Sequence, residues 1–151
     1  MSDTAPTAAP RMIFINLPVT DLARSVAFYE AVGATKKPQF SDDTAACMVV
    51  SDAIYVMLLT HAKFASFTSR PIADRSSVHA LLCLSCETKQ AVLDQLDAAI
   101  RAGGQPDPTP EQDYGGFMYG RSYEDPDGHI WEVMWMDPAA ALQGNEAIEP
   151  A

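Results

Sequence analysis

The apolar positions of this chain switch between strand-like and helix-like spacing, and the same order of elements occurs twice. The stretch MIFINLPV (12–19) is rich in β-branched and aromatic residues. It ends at Thr20-Asp21, a pair typical of a helix start with Asp21 as the N-cap. The next stretch, LARSVAFYEAVGA, has its apolar residues on one helical stripe and closes at Gly33. The sequence therefore predicts a strand that leads into a helix.

The rest of the first half predicts a hairpin and a short helix. AACMVV and AIYVMLLT are strand-like, and they are separated by Ser51-Asp52, which favours a tight turn. HAKFASFT, which follows, predicts a shorter helical piece.

The second half repeats this order. VHALLCLSC (78–86) predicts a strand, Glu87-Thr88 a helix start, and TKQAVLDQLDAAIRAGG a helix that ends in glycines. GFMYGRSYE and HIWEVMWM predict a final hairpin, closed by the type I turn Asp125-Pro126-Asp127-Gly128. Periodicity alone thus indicates an α+β protein with antiparallel sheets and an internal duplication.

The 151 residues have the length of one domain. Residues 1–10 lack an apolar run and a basic start, so we expect a flexible tail rather than a signal peptide or membrane anchor. Residues 139–151 have few large apolar side chains and predict a second flexible tail. The domain then spans 11–138, and the duplication divides it into modules of about 11–76 and 77–138.

Charge and cysteine content narrow the range of partners. A formal net charge of −10 disfavours nucleic acid and membrane surfaces, because both attract Lys and Arg. Three cysteines, an odd number, indicate reduced thiols in a cytoplasmic protein. Cys83 and Cys86 form a C-x-x-C, but residues three apart on a strand face opposite sides, so we expect no zinc or redox site there.

Several stretches resemble a known family. INLPVTDLARSVAFYEAVGA resembles the opening of vicinal oxygen chelate proteins, the glyoxalase, bleomycin-resistance and dioxygenase group, and EDPDGHIWEVMWMD resembles their last hairpin. CMVVSDAIYVMLLT and YGGFMYGRSYEDPDGHIWEVMWMD look like bacterial proteins labelled predicted lactoylglutathione lyase. The resemblance covers nearly all of 11–138. It implies an α+β fold of two βαβββ modules forming a cupped mixed or antiparallel sheet, a homodimer, and a small organic ligand inside the cup.

The resemblance also locates the metal-ligand positions of the family. Three of them fall on Phe14, Met57 and Leu81, which do not offer the donors that nickel, zinc, manganese or iron take; only Glu132 does. The resemblance therefore implies that the standard site is mostly absent, and no cofactor is expected. One alternative stays open. His79 has the strand parity of Leu81, and a slipped register would bring it to Glu132, where the two side chains could hold a divalent metal.

Glu132 is the candidate catalytic residue. Alternation along the last strand turns it into the apolar cup, where an unpaired carboxylate needs a partner or accepts a proton near neutral pH. A general base is therefore one hypothesis for Glu132. A hydrogen-bonded carboxylate with only a structural role is the other.

Other polar residues are candidates for ligand contact. Asn16 lies on the face of Phe14 and offers a donor and an acceptor. Ser122 has the parity of Glu132 and Arg121 the opposite one, although a bulge would exchange them. Arg121 could bind an anionic ligand group or pair on the surface with the neighbouring Glu124 or Asp125. The predicted pocket consists of Phe14, Asn16, Met57, His79, Leu81, Ser122 and Arg121.

Three functions follow as hypotheses. The first is a lyase or isomerase of the glyoxalase type, with Glu132 as base and Asn16, Ser122 or Arg121 stabilising an enolate-like oxygen. The second is a metal-free binding protein of the bleomycin-resistance type, which sequesters a ligand. The third is a scaffold used only for dimer assembly. We favour a small-molecule pocket with few metal ligands. Lactoylglutathione-lyase-like activity is the activity that the resemblance suggests.

Overall fold

The first module contains one long helix and a four-stranded sheet. The computed structural model describes residues 9–141 of the chain. A short 3-10 helix, Pro38–Phe40, lies between the second and third strands, and a five-residue helix follows the fourth. In chain order the elements are β1 (Ile13–Val19), α1 (Leu22–Ala31), β2 (Thr35–Lys36), β3 (Ala45–Val49), β4 (Ile54–Thr60) and α2 (His61–Ala65).

The second module repeats the plan with one more short strand. Its elements are β5 (Leu81–Cys86), α3 (Lys89–Arg101), β6 (Gln105–Pro106), β7 (Gln112–Asp113), β8 (Met118–Glu124) and β9 (Ile130–Met136). A short helix, α4 (Pro138–Ala141), covers the first residues of the predicted C-terminal tail. The rest of both predicted tails, residues 1–8 and 142–151, lies outside the described residues. No helix within 9–141 has the length and apolar character needed to cross a bilayer.

Each module has its own mixed sheet. The strand orders are β1-β4-β3-β2 and β5-β9-β8-β6, with β7 also paired to β8. The first strand of each module runs parallel to the last, and the other pairs are antiparallel. The predicted α+β duplication is confirmed. The sheets are mixed rather than antiparallel because alternation along a strand is the same whichever direction its neighbour runs.

The predicted helix starts are confirmed. The Asp21 side chain accepts a hydrogen bond from the Arg24 N–H at 3.0 Å, and the Thr88 hydroxyl accepts one from the Ala91 N–H at 3.0 Å. Each cap satisfies a backbone donor that the first turn of a helix leaves free. The two long helices therefore begin at equivalent places in the two modules.

One hydrophobic core joins the two modules. The two long helices, α1 and α3, pack against a single face of each sheet, and the opposite face is here called the open face. All the strand residues in this core lie on the face of their sheet that packs against the helices. The core cluster comprises Leu17, Val19, Phe28, Tyr29, Ala34, Ala46, Met48, Val56, Leu58, Val92, Leu96, Ala99, Tyr119, Tyr123, Trp131 and Val133.

A buried polar network crosses between the modules. The Tyr29 hydroxyl of α1 donates to Asp125 Oδ2 at 2.6 Å and accepts from Trp131 Nε1 at 3.0 Å. Asp125 Oδ1 accepts the backbone N–H groups of Asp127 at 2.9 Å and His129 at 2.8 Å. Asp125 is fully buried, so each of these bonds replaces one that water would otherwise supply.

The turn between β8 and β9 is anchored at the start of α1. The hydrogen bond from the Gly128 N–H to the Asp125 carbonyl at 3.0 Å confirms the turn, and the negative φ of Asp127 agrees with type I rather than type II. Asp127 Oδ1 accepts the N–H and the hydroxyl of Thr20 at 3.0 and 2.7 Å. His129 Nε2 lies 2.7 Å from the Pro18 carbonyl oxygen. The turn of the second module thus fixes the first helix in place.

Candidate functional site

The open face of the first sheet is largely apolar. Asn16, Met57 and Cys47 lie side by side in one row across β1, β4 and β3. In the next row, Phe14 stacks on Tyr55 with ring centroids 4.7 Å apart and planes 12° apart. Phe14 is 49% exposed, which is unusual for so large an apolar side chain on a sheet. The structure thus brings Phe14, Asn16 and Met57 together on one face.

A cavity of about 600 Å³ lies over this face. Hydrogen bonds from Thr44 and Ala45 lower the pKa of Asp42 at its rim, so this carboxylate is charged at neutral pH. Burial raises the pKa of the Cys47 thiol, which therefore stays protonated. Such a mostly apolar recess can hold a small organic molecule. The lining residues are Phe14, Gln39, Phe40, Ser41, Asp42, Cys47 and Met57.

Glu132 lies on the open face of the second sheet. It stands in one row with Cys83 of β5 and Ser122 of β8. Leu81 lies one row away beside Ile130 and is 51% exposed. Glu132 is half-buried, and none of the ion pairs among residues 9–141 involves it. Burial raises the pKa of the Cys83 thiol, and the negative charge of Glu132 raises it further.

Ser122 has the predicted orientation but is covered by the chain. The register from Met118 to Glu124 is continuous, so no bulge exchanges the two faces of β8. The Ser122 hydroxyl donates to the Thr109 carbonyl at 2.9 Å and accepts from the Thr109 N–H at 3.1 Å. Ser122 is fully buried, and its hydrogen bonds are used in holding this segment. It is therefore not free to contact a ligand.

Arg121 lies on the other face, and neither predicted role fits it. Its guanidinium binds Asp107 with two hydrogen bonds, Nε to Oδ1 at 2.9 Å and Nη2 to Oδ2 at 2.6 Å. The predicted surface partners are occupied elsewhere, because Glu124 pairs with Arg75 and Asp125 is in the buried network. The predicted place of Arg121 in the pocket is wrong because uninterrupted alternation turns it toward the helix side.

The structure does not bring His79 to Glu132. The His79 ring packs edge-on against His129, with centroids 5.6 Å apart. Cys83, not His79, stands beside Glu132, and His79 lies in a bend that precedes the start of β5 at Leu81. The slipped register that the displaced metal site required is therefore absent. Within residues 9–141, no three His, Cys, Asp or Glu side chains are arranged to hold a metal ion.

A second cavity of about 610 Å³ lies between the modules. It runs along β5, where Cys83 and Cys86 line it from opposite faces of the strand, as their spacing predicts. Val32 and Ile54 contribute from the first module and Trp131 from the second. Sequence patterns did not indicate this cavity, because it depends on how two complete modules pack together.

A family profile matches the chain over residues 11–133, most of its length. Its description is Glyoxalase/Bleomycin resistance protein/Dioxygenase superfamily. The chain belongs to this superfamily. The resemblance drawn from the first strand and helix and from the last hairpin is thereby confirmed.

Several solved structures have a similar fold. A hypothetical protein, SA1046 from S. aureus, is 22% identical with a TM-score of 0.69, covering 85% of this chain and 95% of its own. A family enzyme from Burkholderia phytofirmans PsJN is 19% identical, with a TM-score of 0.68 and coverage of 84% and 99%. The fosfomycin resistance protein FosX from Mesorhizobium loti is 15% identical, with a TM-score of 0.60 and coverage of 91% and 99%. No curated protein sequence matches the chain.

The donor set at the metal positions implied by superfamily resemblance does not fit a divalent transition metal. A phenyl ring, a thioether and an isobutyl group stand at Phe14, Met57 and Leu81. Glu132 supplies the one carboxylate, whereas zinc and related ions usually take three or four protein ligands. Cys83 beside Glu132 adds a thiol that sequence reasoning did not place there. Two donors on one sheet still fall short of such a site.

We predict that Arg121→Lys lowers the free energy of unfolding by about 1–2 kcal/mol, because an ammonium cannot form the two-pronged bond to Asp107. Urea denaturation measures this loss. Arg101→Lys is the matched control, since Arg101 pairs with Asp97 in an exposed contact that contributes about 0.5 kcal/mol or less. Equal losses of unfolding free energy in the two variants would contradict a structural role for the two hydrogen bonds from Arg121 to Asp107.

Proposed function

We propose that this protein binds a small, flat, mostly apolar molecule on the open face of its first sheet, as a cytoplasmic homodimer. The observation that carries the proposal is the exposed Phe14 ring, which stacks on the partly buried Tyr55 and lines a cavity of about 600 Å³. A planar ligand would extend this stack, and stacked rings contribute about 0.5–1.5 kcal/mol beyond the area that they bury. Met57 can adapt to the outline of the ligand because its side chain is unbranched.

Exposed apolar side chains support the homodimer. Ile13 and Phe14 on β1, Met12 just before it and Leu81 on β5 are each about half exposed, and both strands are sheet edges. A second copy that covers these strands would remove this surface from water and close the first open face over the ligand.

The geometry favours binding over catalysis. Three side chains were considered for stabilising an enolate-like oxygen. The Ser122 hydroxyl is hydrogen-bonded to Thr109, and Arg121 lies on the helix side of its sheet. Of the three, only Asn16 is both on an open face and exposed. A developing oxyanion needs hydrogen-bond donors that are already in position. Among these three side chains, only Asn16 could supply one for a reaction with Glu132 as the base.

The test is fluorescence titration of the metal-free protein with Nile red, an uncharged flat dye. We expect saturable binding by the native chain and at least tenfold weaker binding by Phe14→Ala, a loss of about 1.4 kcal/mol. Phe67→Ala is the control, because Phe67 is also exposed but lies beyond α2 under Lys63. Equal weakening in the two variants, or no saturable binding, would refute the proposed site.

Light scattering tests the dimer separately. We expect twice the chain mass of 16.3 kDa for the native protein and dissociation in Leu81→Glu. Ile100→Glu adds the same charge to an exposed position on α3 and should leave the mass unchanged. If the native protein has the mass of a monomer, the proposed dimer is refuted, whereas the proposed ligand site is still judged by the Nile red titration.

A second candidate is lactoylglutathione-lyase-like activity with Glu132 as the base. It is favoured by one observation, the half-buried carboxylate that no ion pair among residues 9–141 neutralises. Glu132→Gln should abolish lactoylglutathione formation while Nile red binding survives, because the amide cannot accept the proton. An unchanged rate in this variant would reject Glu132 as the base.

A further inference from the structure

Two sulfur atoms share the floor of the first cavity. Cys47 on β3 and Met57 on β4 are directly opposite in an antiparallel pair, and both line the cavity. Opposite residues in such a pair have Cβ atoms about 4.5–5.5 Å apart. Two sulfur ligands that each lie about 2.3 Å from one ion are separated by a similar distance, so both side chains can reach the same ion without backbone movement.

The surroundings leave the Cys47 thiol directed at this cavity. The Cys47 N–H donates to Ser41 Oγ at 3.0 Å, and its carbonyl accepts the Lys37 N–H at 2.8 Å, so its backbone is satisfied by the chain. The side chain is buried, yet neither it nor Met57 belongs to the hydrophobic core cluster. Both residues therefore line the recess and lie outside the cluster that joins the two modules.

We propose that Cys47 and Met57 bind a soft monovalent metal ion of the Cu⁺ or Ag⁺ class. Thiolate and thioether sulfur select such ions over nickel, zinc or manganese. The site shares Met57 with the metal positions that the superfamily resemblance locates, but its thiol ligand, Cys47, is not one of them and Glu132 takes no part. The site is formed by residues of a single chain, so it does not depend on the proposed dimer or on the proposed organic ligand.

Charge balance favours a monovalent ion. The Cys47 thiol releases its proton to solvent, the thiolate binds the ion, and the Met57 thioether keeps its neutral form. The ion and its two sulfur ligands then carry no net charge, whereas a divalent ion would leave one positive charge on them, opposed only by Asp42 at the rim of the mostly apolar recess. Burial favours the protonated Cys47 thiol, although the positive charge of Lys37 opposes this, so metal and proton compete. As pH increases toward the pKa of the thiol, the affinity for the ion should rise tenfold for each pH unit.

The test uses the full chain with Cys83→Ser and Cys86→Ser, which removes the two thiols outside this cavity. Cu⁺ is titrated without oxygen against the chromophoric chelator bathocuproine disulfonate, and proton release is measured in weak buffer. We expect one ion bound and one proton released per chain. Added Cys47→Ser should abolish binding, and Met57→Leu, a swap of similar volume, should weaken it at least tenfold. Met134→Leu on the second open face is the control and should bind as the background does.

Three results would overturn the site: no binding in the background protein, unchanged affinity in Met57→Leu, or Zn²⁺ binding as tight as Cu⁺ binding. Circular dichroism of each variant separates loss of the site from loss of fold. Nile red binding to metal-free protein is scored independently, so failure of the proposed ligand site and failure of the metal site give different results.

Discussion

The variant Asp125→Ala is expected to lose about 3 kcal/mol of the free energy of unfolding, measured by urea denaturation. The Asp125 carboxylate accepts three hydrogen bonds, one from the Tyr29 hydroxyl and two from backbone N–H groups of its own turn. Alanine leaves all three donors without their acceptor, and Tyr29 is buried too deeply to reach water instead. The loss should appear in both modules, because the network joins α1 to the turn before β9.

Two variants show which part of the network matters. Asp125→Asn keeps an oxygen for the two turn N–H groups and should cost clearly less than alanine. Tyr29→Phe removes one donor to Asp125 and the acceptor of Trp131, and should fall between the two. An Asp125→Ala protein as stable as the native one would show that the buried carboxylate contributes nothing.

The same carboxylate should make stability depend on pH. Burial raises the pKa of Asp125 above its ordinary value, although the electrostatic effect of His129 and hydrogen bonds from Tyr29, His129 and Asp127 oppose this. The folded state therefore takes up the proton at higher pH than the unfolded state. The stability that protonated Asp125 contributes is fully present below the pKa of the unfolded state, about 3.9. It is lost as pH rises through the pKa that Asp125 has in the folded state. The native chain should lose stability relative to Asp125→Asn over this window, and a relative gain would contradict it.

Gly104→Ala is expected to cost about 3 kcal/mol, because the added methyl group has no room. A Cβ atom there would lie 2.6 Å from the Glu124 carbonyl oxygen, 2.9 Å from the Ala99 carbonyl oxygen and 3.0 Å from a Phe28 ring carbon. Two of these neighbours are backbone atoms, which cannot turn aside as a flexible side chain can. Relief would require α3 to move away from β8, and urea denaturation measures what that movement costs.

Gly120→Ala is the matched control for this steric effect. Its Cβ would meet nothing closer than the Val133 carbonyl oxygen at 3.5 Å, an ordinary contact. Alanine in a strand also loses less chain entropy on folding than glycine, by about 0.5–1 kcal/mol, so this variant should be at least as stable as the native chain. Equal losses at Gly104 and Gly120 would refute the close approach of α3 to Glu124.

Local patterns predicted the fold well but missed its shortest parts. The strand and helix of each module were predictable because their periods of two and 3.6 residues persist over several turns or pleats. The two-residue strands β2, β6 and β7 have too few positions to show any period. The strand predicted from Val78 begins at Leu81, because Val78 to Ala80 have no strand partner in the register of β5 with β9.

The sequence predicted which face of the sheet each candidate site residue occupies, but not which residues it contacts. Alternation placed Phe14 with Asn16, and Glu132 with Ser122, on the correct faces. It could not show that Thr109 binds Ser122 or that Asp107 binds Arg121, since both partners lie more than ten residues away in an irregular segment. Cys83 was judged only as half of a C-x-x-C, and its place beside Glu132 needed the pairing of β5 with β9.

The separation of the open faces from the core has an evolutionary consequence. Phe14, Met57, Leu81 and Glu132 all lie outside the cluster that holds the two modules together. Substitutions at these positions change what the faces can bind while removing little of the packing on which folding depends. A lineage can therefore lose one ligand chemistry and acquire another by single steps, each of which leaves a folded protein for selection to act on.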